Sequence, residues 1–328
     1  MPAVSVLIVN YNAGPHLGDT VAALAAQTFA DFEVIVIDNA STDGSVALAR
    51  SRVAADRRFL FKMASANLGF AAGNNLAAAM ARNPWLALLN PDARPDVEWL
   101  ERLIDAARRY PAVVMLGSTQ IDAADPTRLD GAGDQYFALG LPWRGGCGWA
   151  LTALPGEGEV FSPCAAACLI RADAFRAADG FDERFFCYVD DVDLAFRLRL
   201  QGHTCIQVPT AVVTHAGGIS SGGRGTAFAR RHGTRNLIWC FVKCMPGPLF
   251  WPLLPLHVLM LALLMLRAVH GGMATPVACG ILTGLRATPA MWSSRRVLQR
   301  GRRAPWWRIA AALTWNPVTY LRRAPRIL

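Results

Sequence analysis

Three short apolar runs constrain this chain most: Val4–Val9, Glu33–Ile37 and Trp85–Leu89. Each stops abruptly at a polar loop, respectively Asn10-Tyr11-Asn12, Asp38-Asn39-Ala40-Ser41-Thr42-Asp43-Gly44 and Asn90-Pro91-Asp92. Runs this short and this apolar read as strands buried on both faces. Helix-like stretches separate them: Leu17–Gln27, Ser45–Arg58 and the segment opened by Asn67-Leu68-Gly69-Phe70-Ala71-Ala72-Gly73-Asn74-Asn75, with Phe59–Met63 as a further strand. Strands alternating with helices imply a mostly parallel sheet with crossover helices. Ligands of open α/β sheets bind beyond the carboxyl ends of the strands, so the three polar loops point to one crevice. No GxGxxG follows the first strand, which argues against a dinucleotide oxidoreductase.

Residues 117–163 are Gly-rich and irregular, and read as strands and loops covering one side of the crevice. Order returns with the apolar run Ala165–Ile170, a helix from the Asp190-Asp191-Val192-Asp193 cluster to about Gln201, and a strand Val208–His215. Gly217–Gly225 (GGISSGGRG) reads as a flexible loop able to close over a bound ligand. A length of 328 residues allows one large domain with an appendage, and the expected division is 1–236 and 237–328.

Charge is split unevenly between the two parts. All 24 acidic side chains lie at or before Asp193, against 15 basic ones, for a net −9. Residues 194–328 carry 18 basic side chains and no acid. Leu249–Leu266 is 18 residues without a charge, close to the roughly 20 that span a bilayer, with Pro252 and Pro255 near its start. Met273–Leu285 is shorter and interrupted by Gly and Pro, and residues 286–326 hold ten arginines among four tryptophans. Arginine with tryptophan on apolar segments suits an interfacial helix at an anionic leaflet. A single crossing would put the arginine tail outside the cytoplasm, so a re-entrant hairpin or interfacial helices are expected, with two crossings as the alternative. Residues 1–9 lack the basic start of a signal peptide. The eight cysteines are too sparse for a disulfide scaffold, and Cys164/Cys168 and Cys240/Cys244 read as core residues at helical spacing.

Four clusters carry chemistry. Asp38 and Asp43 flank a turn where a carboxylate can accept from a base or a ribose hydroxyl, beside a stacking face on Tyr11. A turn and helix cap is the plainer reading. Asn90-Pro91-Asp92 offers a carboxylate to a divalent metal, or is simply a β-turn. Asp190, Asp191 and Asp193 crowd a helix start, where they cap the helix or raise one another's pKa toward general-base service. His215 ends a strand, where a neutral imidazole can ligate metal or serve the structure alone. Arg224, Arg231 and Arg235 are candidate phosphate or acceptor contacts.

Taken in order, VSVLIVNYN (4–12), VIDNASTDGS (36–45), NLGFAAGNN (67–75), LLNPD (88–92), GFDERFFCYVDDVDLAFRLRLQGH (180–203) and VVTHAGG (212–218) resemble the family 2 inverting glycosyltransferases, rhamnosyltransferase-like bacterial branch, over residues 3 to about 236. The resemblance implies the A-type glycosyltransferase fold, a nucleoside-diphosphate sugar donor and Mg²⁺ or Mn²⁺. It places Val9, Tyr11 and Asn12 at the base pocket, Asp38 on the base, and Asn67 and Asn75 nearer the ribose and diphosphate. Asn90 and Asp92 take the metal-binding D-x-D positions, with Asn90 departing from the usual Asp, and His215 takes the metal-site histidine. Asp191 matches the catalytic base, and Asp190 stands where Glu is usual, which leaves both as candidates. The implied donor is dTDP-rhamnose, with UDP-galactofuranose or a UDP-hexose as alternatives. The implied acceptor is a saccharide or lipid-linked saccharide of a cell-surface polymer, met at the cytoplasmic face of the membrane.

Other functions fit less well. A nucleotidyltransferase usually has a cationic Gly-rich first loop, and Asn10–Gly14 has no cation. A processive polysaccharide synthase needs a Q-x-x-R-W motif and several spans, and a binding module gives the Asp190–Asp193 cluster no purpose. The apolar, Trp-rich character of the basic tail favours membrane over nucleic acid.

Overall fold

In the computed structural model, residues 4–219, 222 and 225–328 are described. The amino-terminal half alternates as expected: β1 (Val4–Asn10), α1 (Pro15–Ala25), β2 (Phe32–Asp38), α2 (Ser45–Arg52), β3 (Phe59–Met63), α3 (Gly69–Met80) and β4 (Trp85–Leu89). A short β5 (Ala93–Pro95) and α4 (Trp99–Arg109) follow. The helix expected to reach Arg58 stops at Arg52, because Asp56 turns the chain by accepting from the Arg58 backbone N–H. The irregular middle resolves into β6 (Met115–Asp122), β7 (Leu129–Gly131), a hairpin of β8 (Asp134–Phe137) with β9 (Leu141–Arg144), and β10 (Gly158–Val160). Then come β11 (Ala167–Arg171), α5 (Ala172–Ala177), α6 (Asp190–Leu200) and β12 (Cys205–His215).

The main path of the sheet runs β10-β12-β6-β11-β4-β1-β2-β3. β1 pairs parallel with β2 and β4, whereas β11 is antiparallel to both β4 and β6, and β12 is parallel to β6. The reversal at β11 therefore leaves β1, β2, β4, β6 and β12 pointing the same way. Their carboxyl ends share one edge, where Asn10, Asp38, Asn90, Asp122 and His215 emerge. Alternation along the strands sorts the apolar side chains into two layers. Val6, Ile8, Val34 and Val36 pack with α1 and α4, and Leu7, Ile35, Ile37, Leu86 and Leu88 pack with α3, α5 and α6.

The rest is helical: α7 (Ala227–Cys244), α8 (Gly247–His270), α9 (Ala274–Arg286), α10 (Thr288–Arg300), α11 (Trp306–Ala312) and α12 (Pro317–Leu321). These form a third apolar cluster together with the β8–β9 hairpin and α6, joining Tyr136, Phe137 and Phe196 to Phe241, Phe250 and Leu313. The boundary expected after Asn236 falls inside α7. The tail also returns to the body: the N–H of Leu328 donates to the Glu159 carbonyl at 2.8 Å, and Gln135 Nε2 to that of Arg326 at 2.9 Å. Pro252 and Pro255 lie inside α8 rather than at its start, on its exposed side. None of the eight cysteines forms a disulfide, and Cys168 lies on a strand rather than a helix.

One buried charge network ties α7 to the sheet layer. Asp193 is 0% exposed and accepts from Arg197 Nε and Lys243 Nζ, each at 2.8 Å, while Lys243 also reaches Asp182 at 2.7 Å. Removing one partner of such a network strands buried charge, at a cost of about 3–5 kcal/mol. Lys243→Met should therefore lower the unfolding free energy by about that amount in urea titration; a change below about 1 kcal/mol would show that the network holds nothing together.

Candidate active site

The carboxyl edge of the sheet opens into a cleft of about 760 Å³, floored by the loops after β1, β4 and β12 and walled by the hairpin, the start of α6 and the start of α7. Val9, Tyr11 and Asn67 line one part of it, and Asn90, Asp92 and His215 line another. Asp190 and Asp191 line it from the head of α6. These eight expected residues are thus brought together by the topology, across more than 200 residues of chain.

Other expected residues are placed differently. Asp38 does not line the cleft: it is 1% exposed, accepts from Asn10 Nδ2 at 2.8 Å and from the Ser41 N–H at 3.1 Å, and so fixes the loop after β2. Its neighbour Asn39 faces the cleft instead, donating through Nδ2 to the Gly69 carbonyl at 3.0 Å while no described residue bonds its Oδ1. Asn12 also stands off the cleft and accepts from the Thr42 N–H at 2.8 Å. Asn75 pins the segment before α6, exchanging two hydrogen bonds of 2.9 Å with the backbone of Phe181. Arg235 is spent on the Phe185 carbonyl at 2.8 Å and on Asn236 Oδ1 at 2.8 Å, and Arg231 lies outside the cleft lining. Arg224 lies outside the described residues.

A buried polar chain links the two reactive parts. His215 Nδ1 is 2.7 Å from Asp130 Oδ2, which leaves Nε2 facing Asp92 Oδ1 at 3.4 Å and Asn90 Nδ2 at 3.3 Å. Arg144, from the end of β9, pairs with the same Asp130. Beyond Arg144, the side chains of Asp134, Cys164 and Asp191 cluster, with one donor atom from each lying within 4.8 Å of the others. The carboxyl of Asp191 accepts from the N–H groups of Ala165 at 3.1 Å and Val192 at 2.8 Å. Asp130, Asp134 and Arg144 were not foreseen, because the Gly-rich middle has no periodicity that places its side chains.

Burial dominates the electrostatics. It pushes the Asp190 carboxyl well above the ordinary range, reinforced by the charge of Asp191. Burial raises Asp191 as well, although its two backbone donors and Arg144 oppose the rise. Asp134 is driven well up by burial and by Asp191. Burial pushes the Cys164 thiol up to about 12, so it stays protonated beside them. Burial acts on Asp92 the same way, yet His215 and the backbone N–H groups of Ile219 and Asp92 together hold that carboxyl below its usual value. Two opposed settings result: the Asp92 carboxyl is lowered and the Asp191 carboxyl is raised.

The metal-side residues fit a divalent cation. A carboxylate anchors His215 through Nδ1 and turns Nε2 toward a second carboxylate, as outer-shell partners of metal-bound histidines do. Asp92 and His215, with the amide of Asn90 alongside, supply a mixed oxygen and nitrogen donor set compatible with Mn²⁺ or Mg²⁺.

The fold is the A-type glycosyltransferase fold. A mannosyltransferase from Pyrobaculum calidifontis, in complex with GDP-Man and Mn²⁺, shares this fold with a TM-score of 0.55 over 92% of this chain and 86% of that one, at 18% identity. Residues 5–177 match glycosyl transferase family 2, and the chain belongs to that family. An N-acetylglucosaminyl-diphospho-decaprenol L-rhamnosyltransferase of Mycobacterium tuberculosis is 32% identical over 241 residues, covering 66% of this chain and 77% of that protein. The O-antigen biosynthesis protein RfbC of Myxococcus xanthus is 30% identical over 217 residues, covering 61% of this chain and 16% of its own length. The chain is a rhamnosyltransferase-like glycosyltransferase.

Arg144 favours the ionised form of Asp191, so Arg144→Gln should raise that carboxyl further. Turnover that needs the carboxylate would then fail at a higher pH on the acid side. An acid limb that stays in place in the pH–kcat profile would remove Arg144 from this role.

Proposed function

We propose that this protein transfers a rhamnosyl group from dTDP-rhamnose, with inversion, to a hydroxyl of a lipid-linked saccharide in cell-surface polymer synthesis. The observation that carries the reading is the pair of contrasting acidic settings in one cleft, the His215-buttressed Asp92 and the burial-raised Asp191. The similarity to a rhamnosyltransferase whose named substrate is lipid-linked supports this donor and acceptor over UDP-galactofuranose or a UDP-hexose.

In this mechanism Tyr11, Asn39 and Asn67 hold the nucleoside, with the free Asn39 Oδ1 available to a base N–H. Asp92 and His215 would hold the divalent cation, and a cation bound there supplies positive charge against the departing diphosphate. Asp191 accepts the proton of the acceptor hydroxyl as that oxygen attacks the anomeric carbon. Asp190 lies beside it, its carboxyl pushed well above the usual range by burial and by the charge of Asp191. The bond to the diphosphate oxygen breaks as the new glycosidic bond forms on the opposite face, so no covalent enzyme intermediate arises.

The helical region supports a membrane-surface setting, which we assign to the cytoplasmic face. α8 is long and apolar enough to cross a bilayer, but one stripe of it is buried from end to end: Leu249, Leu253, His257, Leu261 and Ala268. His257 meets the Leu139 carbonyl of the hairpin at 2.8 Å and stacks on Phe241. A helix fastened along its length to the body lies beside a membrane more readily than through it. Its other side exposes Trp251, Val258, Leu259, Leu266 and Val269, and Trp307 on α11 and Leu321 on α12 are exposed as well.

Asp191→Asn should reduce rhamnosyl transfer by at least about 10³-fold while leaving dTDP-rhamnose affinity within about twofold by calorimetry; retained transfer would discard the base assignment. Asp92→Ala should abolish the Mn²⁺-dependent part of nucleotide binding, and unchanged binding would discard the metal assignment. In sedimentation with vesicles, the protein should co-pellet with anionic lipid far more than with zwitterionic lipid, and Trp251→Ser with Trp307→Ser should weaken that binding. Equal partition with and without vesicles would sink the membrane reading.

A further inference from the structure

The segment feeding α6 is strained. Phe186, Tyr188 and Val189 all adopt left-handed backbone conformations, with φ of 65°, 68° and 63°. For a non-glycine residue such a conformation costs about 1–3 kcal/mol and persists only where the surroundings over-determine it; for β-branched Val189 it is least tolerated. Val189 immediately precedes Asp190 and Asp191, so whatever holds this segment also aims those carboxylates.

One buried amide meets most of that demand. Asn236 on α7 is 0% exposed, and its Nδ2 lies 3.0 Å from the Phe185 carbonyl and 2.8 Å from each of the Cys187 and Tyr188 carbonyls. Its Oδ1 accepts from Arg235 Nε at 2.8 Å, which fixes which end of the amide faces the segment. Arg235 adds a bond of 2.8 Å to the Phe185 carbonyl and lies 4.3 Å over the Trp239 ring. Two turns further along α7, Lys243 grips Asp193 of the same α6. The helix thus splints α6 at its entry and again within its first turn, while Asn236 itself does not line the cleft.

We propose that Asn236, oriented by Arg235, is a positioning residue that holds segment 185–189 in its strained form and so sets the Asp190–Asp191 pair for reaction. The inference rests on the reading of that pair as the reacting acids. The role requires donation: the two amide hydrogens are shared among three carbonyls, and an isosteric carboxylate would repel all three.

The experiment compares the full chain with Asn236→Asp, Asn236→Ala and the milder Arg235→Ala. Hydrogen–deuterium exchange of residues 184–192 is one readout, and Mn²⁺-supported hydrolysis of dTDP-rhamnose is the other. Asn236→Asp and Asn236→Ala should speed exchange in 184–192 at least about tenfold while strands β1, β2 and β4 keep their protection. They should lower kcat about 10²-fold with the donor KM within about twofold. The acid limb of the pH–kcat profile should move down, since a loosened segment lets water reach Asp191. Arg235→Ala should show the same changes in smaller measure, and decides the matter if the Asn236 variants do not fold. Wild-type exchange and wild-type kcat in a folded Asn236→Asp protein would overturn the proposal. If the unaltered chain turns over neither dTDP-rhamnose nor a UDP-hexose, the reading of the cleft fails instead, and the exchange result still judges the clamp.

Discussion

Carboxylates gathered out of water at one edge of a sheet are the constraint on which this molecule is built. Asp92, Asp130, Asp134 and Asp190 are all buried, and Asp191 is partly so. Concentrated negative charge in a low-dielectric setting must be met by cations, by hydrogen-bond donors or by protonation. All three answers are visible. Arg144 pairs with Asp130, backbone N–H groups of Ala165 and Val192 serve Asp191, and Asp134 and Asp190 are pushed toward their neutral forms. A diphosphate bound in this cleft would add yet more negative charge, and a divalent cation held by Asp92 and His215 would offset it.

The framework that gathers these groups was readable because each strand announces its own end. β4 occupies Trp85–Leu89, as the apolar run predicts, and Asp92 follows from the turn after it. The head of α6 was likewise marked by its acidic cluster. Less legible was which neighbour faces the cleft. Asp38 and Asn39 are adjacent, and successive residues of extended chain point to opposite sides. Asp38 turns to Asn10, while Asn39, equally buried, turns to the other side and reaches the cleft lining. The alternation of β2, carried one residue past its end, held the signal.

Asp130, Asp134 and Arg144 could not be read in the same way. They come from short strands in a glycine-rich stretch, where neither a period of 2 nor one of 3.6 can build up. What fixes them is pairing with distant chain, such as the bond of 2.6 Å from the Asp134 N–H to the Ser162 carbonyl, and the cover provided by the carboxyl-terminal helices. The surroundings of Arg235 on α7 were no more legible, for a related reason. Charge alone suggested phosphate, but helical phase and the partner surface turn Arg235 onto carbonyls and an indole ring.

The return of the tail carries one more consequence. Arg323 lines the same cleft as Tyr11, and its carbonyl accepts from the Gly146 N–H at 2.7 Å in the loop after β9. The pocket is therefore assembled from residues more than 300 positions apart in synthesis order. A nascent chain with its sheet already formed still lacks one wall until residue 323 has left the ribosome and found its place. A fusion or truncation near that tail reaches the cleft, although in the linear map it lies more than 300 residues from the first loop.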